Sequence, residues 1–172
     1  MKQKKILVTG AKGFVGKHWC KKLIDQGHKV DAVDIKEEIK PILSNNYRYY
    51  KKSIFDFKLL DKLVKKNDYI CHFAGIAEPE QYLKKTAKVI DLTILPSFEI
   101  IKLSTKYKKK LIFTSTSEIY GKNNKIPFSE EDDRVLGTTS KKRWCYSTAK
   151  AMVEHYIFAN SIFQYFPSEF YA

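Results

Sequence analysis

The residue types able to do chemistry in this chain fall into two groups. The first is Tyr146-Ser147-Thr148-Ala149-Lys150, with tyrosine and lysine at i and i+4, which puts both side chains on one helix face a turn apart. A lysine ammonium beside a phenol favours the phenolate and lowers its pKa from about 10 toward the working range. Tyr146 therefore reads as a general base that takes a proton from a substrate hydroxyl as hydride leaves the same carbon. Thr116 supplies a hydroxyl for the same substrate oxygen. Glu118 reads equally as an aid to proton movement or as a polar residue at a strand end. The second group is Gly10, Gly13 and Gly16, which follow the apolar run Ile6-Leu7-Val8. Gly10 permits a sharp turn, Gly13 lets a diphosphate approach the backbone, and Gly16 lets a helix pack close to the strand. Free N–H groups of the next helical turn, at Phe14 and Val15, then face the anion.

These groups need elements to hold them. The glycine turn is expected to feed a helix over 18–26, with Trp19, Cys20 and Leu23 inward and Gly27 as its stop. A second strand over 29–35 carries Asp34 near its carboxyl end. Asp34 lies at the distance from the glycines where a carboxylate accepts the two ribose hydroxyls of an adenosine. A carboxylate there repels a 2′-phosphate, which favours NAD over NADP, although Lys36 close by keeps NADP open. A third strand over 47–52, a helix over 57–66 and a buried fourth strand over 68–75 follow. Ala74 and Gly75 at the end of that strand leave room for a cofactor against the backbone. His72 on the same strand reads first as a packing residue and only second as a catalytic one. A helix over 82–106 is expected to be interrupted near Pro96, and its surplus of apolar positions suggests a partner chain. A fifth strand over 110–115 leads to Thr116. Strands alternating with helices across short connections predict an α/β fold, a doubly wound parallel sheet of Rossmann type, whose ligands sit at the carboxyl ends of the strands.

Composition narrows the class. The 172 residues carry a formal net charge of +13, nearly all of it lysine. Arginine occurs only at Arg48, Arg134 and Arg143, and no nucleic-acid-binding motif is present, so the charge reads as a solvated surface rather than a specific nucleic-acid site. Cys20, Cys71 and Cys145 have no CxxC spacing and read as free thiols, with no metal site expected. Neither a membrane span nor a secretory signal is legible, and a cytoplasmic location is expected.

Taken together, Thr9-Gly10-x-x-Gly13-Phe14-x-Gly16, Asp34, His72-Phe73-Ala74-Gly75, Thr114-Ser115-Thr116-Ser117-Glu118-x-Tyr120-Gly121 and Tyr146-x-x-x-Lys150 occur in order from about Ile6 to Tyr156. In this the chain resembles the extended short-chain dehydrogenase/reductase family, the NAD-dependent nucleotide-sugar epimerases, dehydratases and decarboxylases. The resemblance implies that Gly10, Gly13, Gly16 and Asp34 bind NAD. It also implies that Thr116, Tyr146 and Lys150 form the catalytic set, with Lys150 holding the nicotinamide ribose as well. It further implies a UDP-sugar substrate and a homodimer built from the helices near 82–106 and 146–160. Related 4,6-dehydratases carry Asp-Glu after the threonine. Ser117 replaces that aspartate here, which disfavours dehydration and leaves epimerase and decarboxylase open.

The chain departs from the family in two places. Ser53-Ile54 stands where family members place an acid–apolar pair against adenine, so Ile54 is the expected adenine contact, with Asp56 displaced. Family members also continue into a smaller carboxyl-terminal domain that grips the nucleotide sugar. Here residues 1–160 read as the NAD-binding domain and 161–172 as an atypical aromatic tail. The expectation is a truncated or frameshifted product, either the cofactor-binding portion of an enzyme or an inactive binding and dimerisation module.

Overall fold

A computed structural model describes residues 2–39 and 41–160. The tail expected over 161–172 lies outside the described residues. Five strands form one parallel sheet in the order β3-β2-β1-β4-β5. They are β1 (Lys5–Thr9), β2 (Lys29–Asp34), β3 (Tyr47–Lys51), β4 (Tyr69–His72) and β5 (Lys110–Phe113). The order reverses between β1 and β4, where Thr9 lies level with both Val33 and His72. That reversal opens the crevice in which doubly wound sheets bind ligands.

Alternation along each strand separates the two faces. Ile6 and Val8 pack with Val30, Ala32 and Cys71 against Cys20 and Leu23 of α1 (Phe14–Asp25). Leu7, Val33 and Ile70 point the other way. They meet Leu60, Leu63 and Val64 of α2 (Phe57–Lys66) and Ile100 and Leu103 of α4 (Thr86–Lys106). Each aliphatic side chain buried in these layers contributes about 1.5–3 kcal/mol. Beyond α4 lies α5 (Cys145–Ala159), where Val153 and Ile157 pack on Ile101. Among the described residues no helix is long and apolar enough to cross a membrane.

Two expectations for the helices differ. The first helix begins at Phe14 rather than near 18, with Gly13 as its N-cap. The glycine turn thus opens directly into helical N–H groups, with no intervening loop. The second difference is at Pro96, which lies inside α4 and is buried. The chain breaks instead at Lys85, between α4 and the short α3 (Pro79–Lys84), where φ is −134° and ψ is 45°. Proline removes one helical N–H, yet the turns on either side are held by packing and by hydroxyls. Thr93 Oγ1 donates to the Val89 carbonyl at 2.7 Å and Ser97 Oγ to the Thr93 carbonyl at 2.5 Å. Tertiary burial outweighs local propensity at this position.

Candidate active site

The glycine turn is shaped by close approach. Gly10 has φ +69°, and a Cβ there would lie 2.6 Å from the Ala74 nitrogen. A Cβ on Gly16 would lie 2.1 Å from the Gly10 carbonyl oxygen, so the first turn of α1 sits directly on the end of β1. One added methyl group fills this cradle. Gly13 caps α1 without a side-chain acceptor, so the N–H groups of Phe14, Val15 and Gly16 have no acceptor within the helix. Three adjacent donors at a helix start, beside open backbone, suit a diphosphate.

Asp34 closes the adenosine side. It ends β2 and is buried, with Oδ2 accepting from the Lys12 backbone N–H at 2.8 Å and Oδ1 from the Lys36 backbone N–H at 3.0 Å. Two peptide donors hold the carboxylate in one orientation while lone pairs on both oxygens remain for a diol. The Lys12 ammonium is paired with Glu38 and that of Lys51 with Glu37, so two neighbouring cations already have anionic partners. Ile54 is buried just beyond β3. Asp56, which looked displaced, is the N-cap of α2 and accepts from Leu59 N–H at 3.1 Å. Ala74 and Gly75 follow β4 in the crevice; Ala74 N–H donates to Thr9 Oγ1 at 3.4 Å, and a Cβ on Gly75 would meet nothing.

His72 is a packing residue, and counting protons assigns its tautomer. Ser97 Oγ spends its proton on the Thr93 carbonyl, so the His72 Nε2 that contacts it at 3.0 Å must donate. Nδ1 then accepts from Thr9 Oγ1 at 2.6 Å. The chain of donors runs from Ala74 N–H through Thr9, His72 and Ser97 into α4, and it is complete with a neutral ring. Burial, aided by the charge of Lys150, pushes the imidazole down to about 3.

The second constellation gathers where β5 ends. Thr116 caps the 3₁₀ turn Ser117–Tyr120, its Oγ1 accepting from Glu118 N–H at 3.2 Å and its own proton left to donate. Glu118 Oε2 is ion-paired with Arg143, which precedes α5. Tyr146 and Lys150 lie in the first turns of α5, and both are buried. Their interplay differs from the expectation. Lys150 Nζ donates to the Thr114 carbonyl at 2.7 Å and stands 5.8 Å from the centre of the Tyr146 ring. Burial pushes this lysine down to about 8. The Tyr146 phenol is raised rather than lowered, first by burial and then by the Glu118 carboxylate. Helical spacing put the two side chains on one face, but the strand carbonyl beside α5 holds the ammonium.

Two further residues belong to this site, Arg143 just ahead of the Tyr146 motif and Tyr82 far from it in the chain. Tyr82 of α3 is fully buried and stacks on Tyr146, with ring centres 4.6 Å apart and planes 13° apart. Arg143 lies over the faces of Tyr82 and Trp144 while pairing with Glu118. Only the aromatic character of Tyr82 and its place shortly after β4 could have drawn attention to it.

The sequence model of the NAD-dependent epimerase/dehydratase family matches residues 6–161. The chain belongs to this family. Among its relatives, the UDP-N-acetyl-α-D-glucosaminuronate decarboxylase of Bacillus cytotoxicus is 37% identical over 156 residues, which are 88% of this chain and 48% of the relative. Among solved structures, the PbgP3 protein of Burkholderia pseudomallei superposes with a TM-score of 0.86 at 27% identity, covering 94% of this chain and 50% of the other. A UDP-N-acetylglucosamine 4-epimerase from Methanobrevibacter ruminantium, in complex with UDP-N-acetylmuramic acid, gives a TM-score of 0.81 at 27% identity, over 92% of this chain and 51% of that one. The chain thus spans about half the length of these family members, and the shared half is the doubly wound sheet.

Proposed function

We propose that this chain is the cofactor-binding and proton-transferring half of a UDP-sugar-modifying enzyme, a decarboxylase or 4-epimerase, with NAD as its resident cofactor. The observation that carries the reading is positional. The methyl-sized cradle at Gly10–Gly16, the oriented carboxylate of Asp34 and the set Thr116, Tyr146 and Lys150 all lie along one crevice at the carboxyl ends of the strands. The decarboxylase name of a 37% identical relative and Ser117 in place of a dehydratase aspartate both favour loss of carboxylate or epimerisation over dehydration.

NAD, when bound, supplies a hydride acceptor for the sugar C4 carbon and returns the hydride later. The protein's own residues do the rest. The N–H groups of Phe14, Val15 and Gly16 would bind the diphosphate, Asp34 the adenosine ribose, Ile54 the adenine, and Ala74 with Gly75 the face of the cofactor along the crevice. The anionic partners of Lys12 and Lys51 leave Asp34 dominant there, which suits NAD better than NADP. Lys150, fixed by the Thr114 carbonyl, would hold the nicotinamide ribose hydroxyls. Tyr146 Oη takes the proton of the sugar 4-hydroxyl while Thr116 Oγ1 hydrogen-bonds the same oxygen. Glu118, tied to Arg143, contributes negative charge at the mouth of this site and assists proton movement.

A second copy of the chain would pack on α4 and α5, where Leu95 and Met152 are each about half exposed at 50% and 49%. Use of NAD and a nucleotide sugar suits a cytoplasmic location. Calorimetry with NAD, followed by NADH absorbance on adding UDP-glucuronate or UDP-N-acetylglucosaminuronate, tests the proposal. Binding with sugar-dependent NADH formation, lost by about 10²–10⁴-fold in Tyr146→Phe, is the expected result. Absence of NAD binding overturns the cofactor assignment, and unchanged NADH formation in Tyr146→Phe overturns the catalytic one. Binding without turnover reduces the chain to a non-catalytic module.

A further inference from the structure

Lys12 stands at a junction. Its backbone N–H donates to Asp34 Oδ2 at 2.8 Å, so it helps to hold the carboxylate assigned to the adenosine ribose. Its side chain leaves that crevice and lines a cleft of about 440 Å³ between α1 and the segment leading to β3, together with Lys17, His18, Lys21, Ile42 and Tyr47. A cation in this place attracts an anion carried by the ribose.

The ammonium already has an occupant. Glu38 pairs with it, and the same carboxylate oxygen accepts from Tyr47 Oη at 2.9 Å. The ammonium also lies 5.0 Å from the centre of the Tyr49 ring, whose hydroxyl donates to the Lys36 carbonyl. The side chains of Lys12 and Glu38 are only 17% and 15% exposed. Removing one charge of such a pair leaves the other uncompensated. The neighbouring pair of Lys51 and Glu37 is different: its side chains are 54% and 69% exposed, so solvent screens it and it is worth little. Of these two adjacent acids, Glu38 is the one fixed against a cation withdrawn from water.

NADP carries a phosphate on the ribose 2′ oxygen, where NAD has a hydroxyl that a carboxylate can accept from. That phosphate needs a cation beside Asp34, and Lys12 is bonded to Asp34 through its own backbone. We propose that Glu38 is a cofactor-specificity residue: it holds the Lys12 ammonium as an internal anion and so withholds it from the 2′-phosphate of NADP. Without the Glu38 charge, Lys12 and the cleft behind it form a phosphate subsite. The inference rests on the reading of this crevice as a dinucleotide site. It adds to Asp34, which repels the phosphate directly, a second residue that acts by occupying the cation.

Calorimetry of the full chain with NAD, NADP and adenosine 2′,5′-bisphosphate tests it. Glu38→Gln keeps the size of the side chain and an oxygen for Tyr47 while removing the charge. The affinity ratio of NADP to NAD is expected to rise about 10-fold, since a charged hydrogen bond to phosphate becomes available. The rise disappears when Lys12→Met is added, and Glu37→Gln at the screened pair changes the ratio by less than about twofold. Asp34 is present throughout and cancels from the comparison. An unchanged ratio in Glu38→Gln, or an equal rise in Glu37→Gln, overturns the proposal. If the thermal melt of Glu38→Gln departs from the parent, Glu38→Ala is titrated instead and the same rise is required. A parent that binds NAD, with no rise in the variant, keeps the proposed function and loses this inference. A chain that binds no NAD, yet gains the bisphosphate in Glu38→Gln and loses it again with Lys12→Met, keeps the subsite and loses the proposed function. One that binds none of the three nucleotides loses both.

Discussion

Replacing His72 with glutamine turns the buried donor chain into a measurable pH dependence. In the folded protein the imidazole is held neutral down to about 3, whereas in the unfolded chain it titrates near its ordinary value of about 6.5. Between those values the unfolded chain binds a proton that the folded one does not. Stability therefore falls as pH falls through that window, with a slope of at most about 1.4 kcal/mol per pH unit from this residue. From pH 7 to pH 5 the loss is about 2 kcal/mol. Carboxylates contribute their own slopes, so the informative quantity is the difference between wild type and His72→Gln. At pH 7 the variant is expected to be less stable by about 2–4 kcal/mol, since two buried hydrogen bonds to Thr9 and Ser97 are disturbed. At pH 5 that gap narrows by about 2 kcal/mol, because glutamine has nothing to protonate. Urea unfolding followed by circular dichroism at both pH values measures it. A gap of the same size at pH 7 and pH 5 refutes the reasoning, for it would mean that His72 is already protonated in the fold or still neutral when unfolded.

Three other outcomes are expected. Gly16→Ala places a Cβ 2.1 Å from the Gly10 carbonyl oxygen, so α1 must move off β1; overpacking of about 1–3 kcal/mol lowers NAD affinity by one to two orders of magnitude by calorimetry. Asp34→Asn keeps the volume but removes the charge that accepts from the ribose, and NAD affinity falls by about 10- to 100-fold while NADP is disfavoured less. Leu95→Glu together with Met152→Glu puts charge on the half-exposed apolar faces of α4 and α5 and is expected to shift the chain to monomer in light scattering, with NAD binding retained; a dimer that persists removes those helices as its interface.

Much of the fold was legible because its signals are local. The α2 boundaries follow from the spacing of Leu59, Leu60, Leu63 and Val64, and the helix runs Phe57–Lys66 as that spacing predicts. Strand ends were overestimated by one residue at β2 and β3, and by more at β4 and β5, where the small residues Ala74 and Gly75 and the polar Thr114 and Ser115 leave the ladder. The start of α1 was placed too late, since a glycine-rich segment scores poorly as helix unless its contact with the strand end is known. Pro96 marked a break that burial cancels, and the real break at Lys85 carries no breaker residue at all.

By itself the amino-acid sequence determined the alternation of strands and helices, the turn at Gly10–Gly16, the placing of Asp34 and Thr116 at or just after strand ends, and that of Tyr146 and Lys150 one turn apart on one helix. Each of these depends on residue type and on spacing within a single element or across one connection. Tertiary structure alone decided what those side chains touch. It joined Lys150 to the Thr114 carbonyl, tied Glu118 to Arg143, neutralised His72 between Thr9 and Ser97, and laid Tyr82 against Tyr146. All four contacts cross from one element to another, where spacing along the chain carries no distance. The charge state of the site follows from burial and from those partners, and so belongs to the fold.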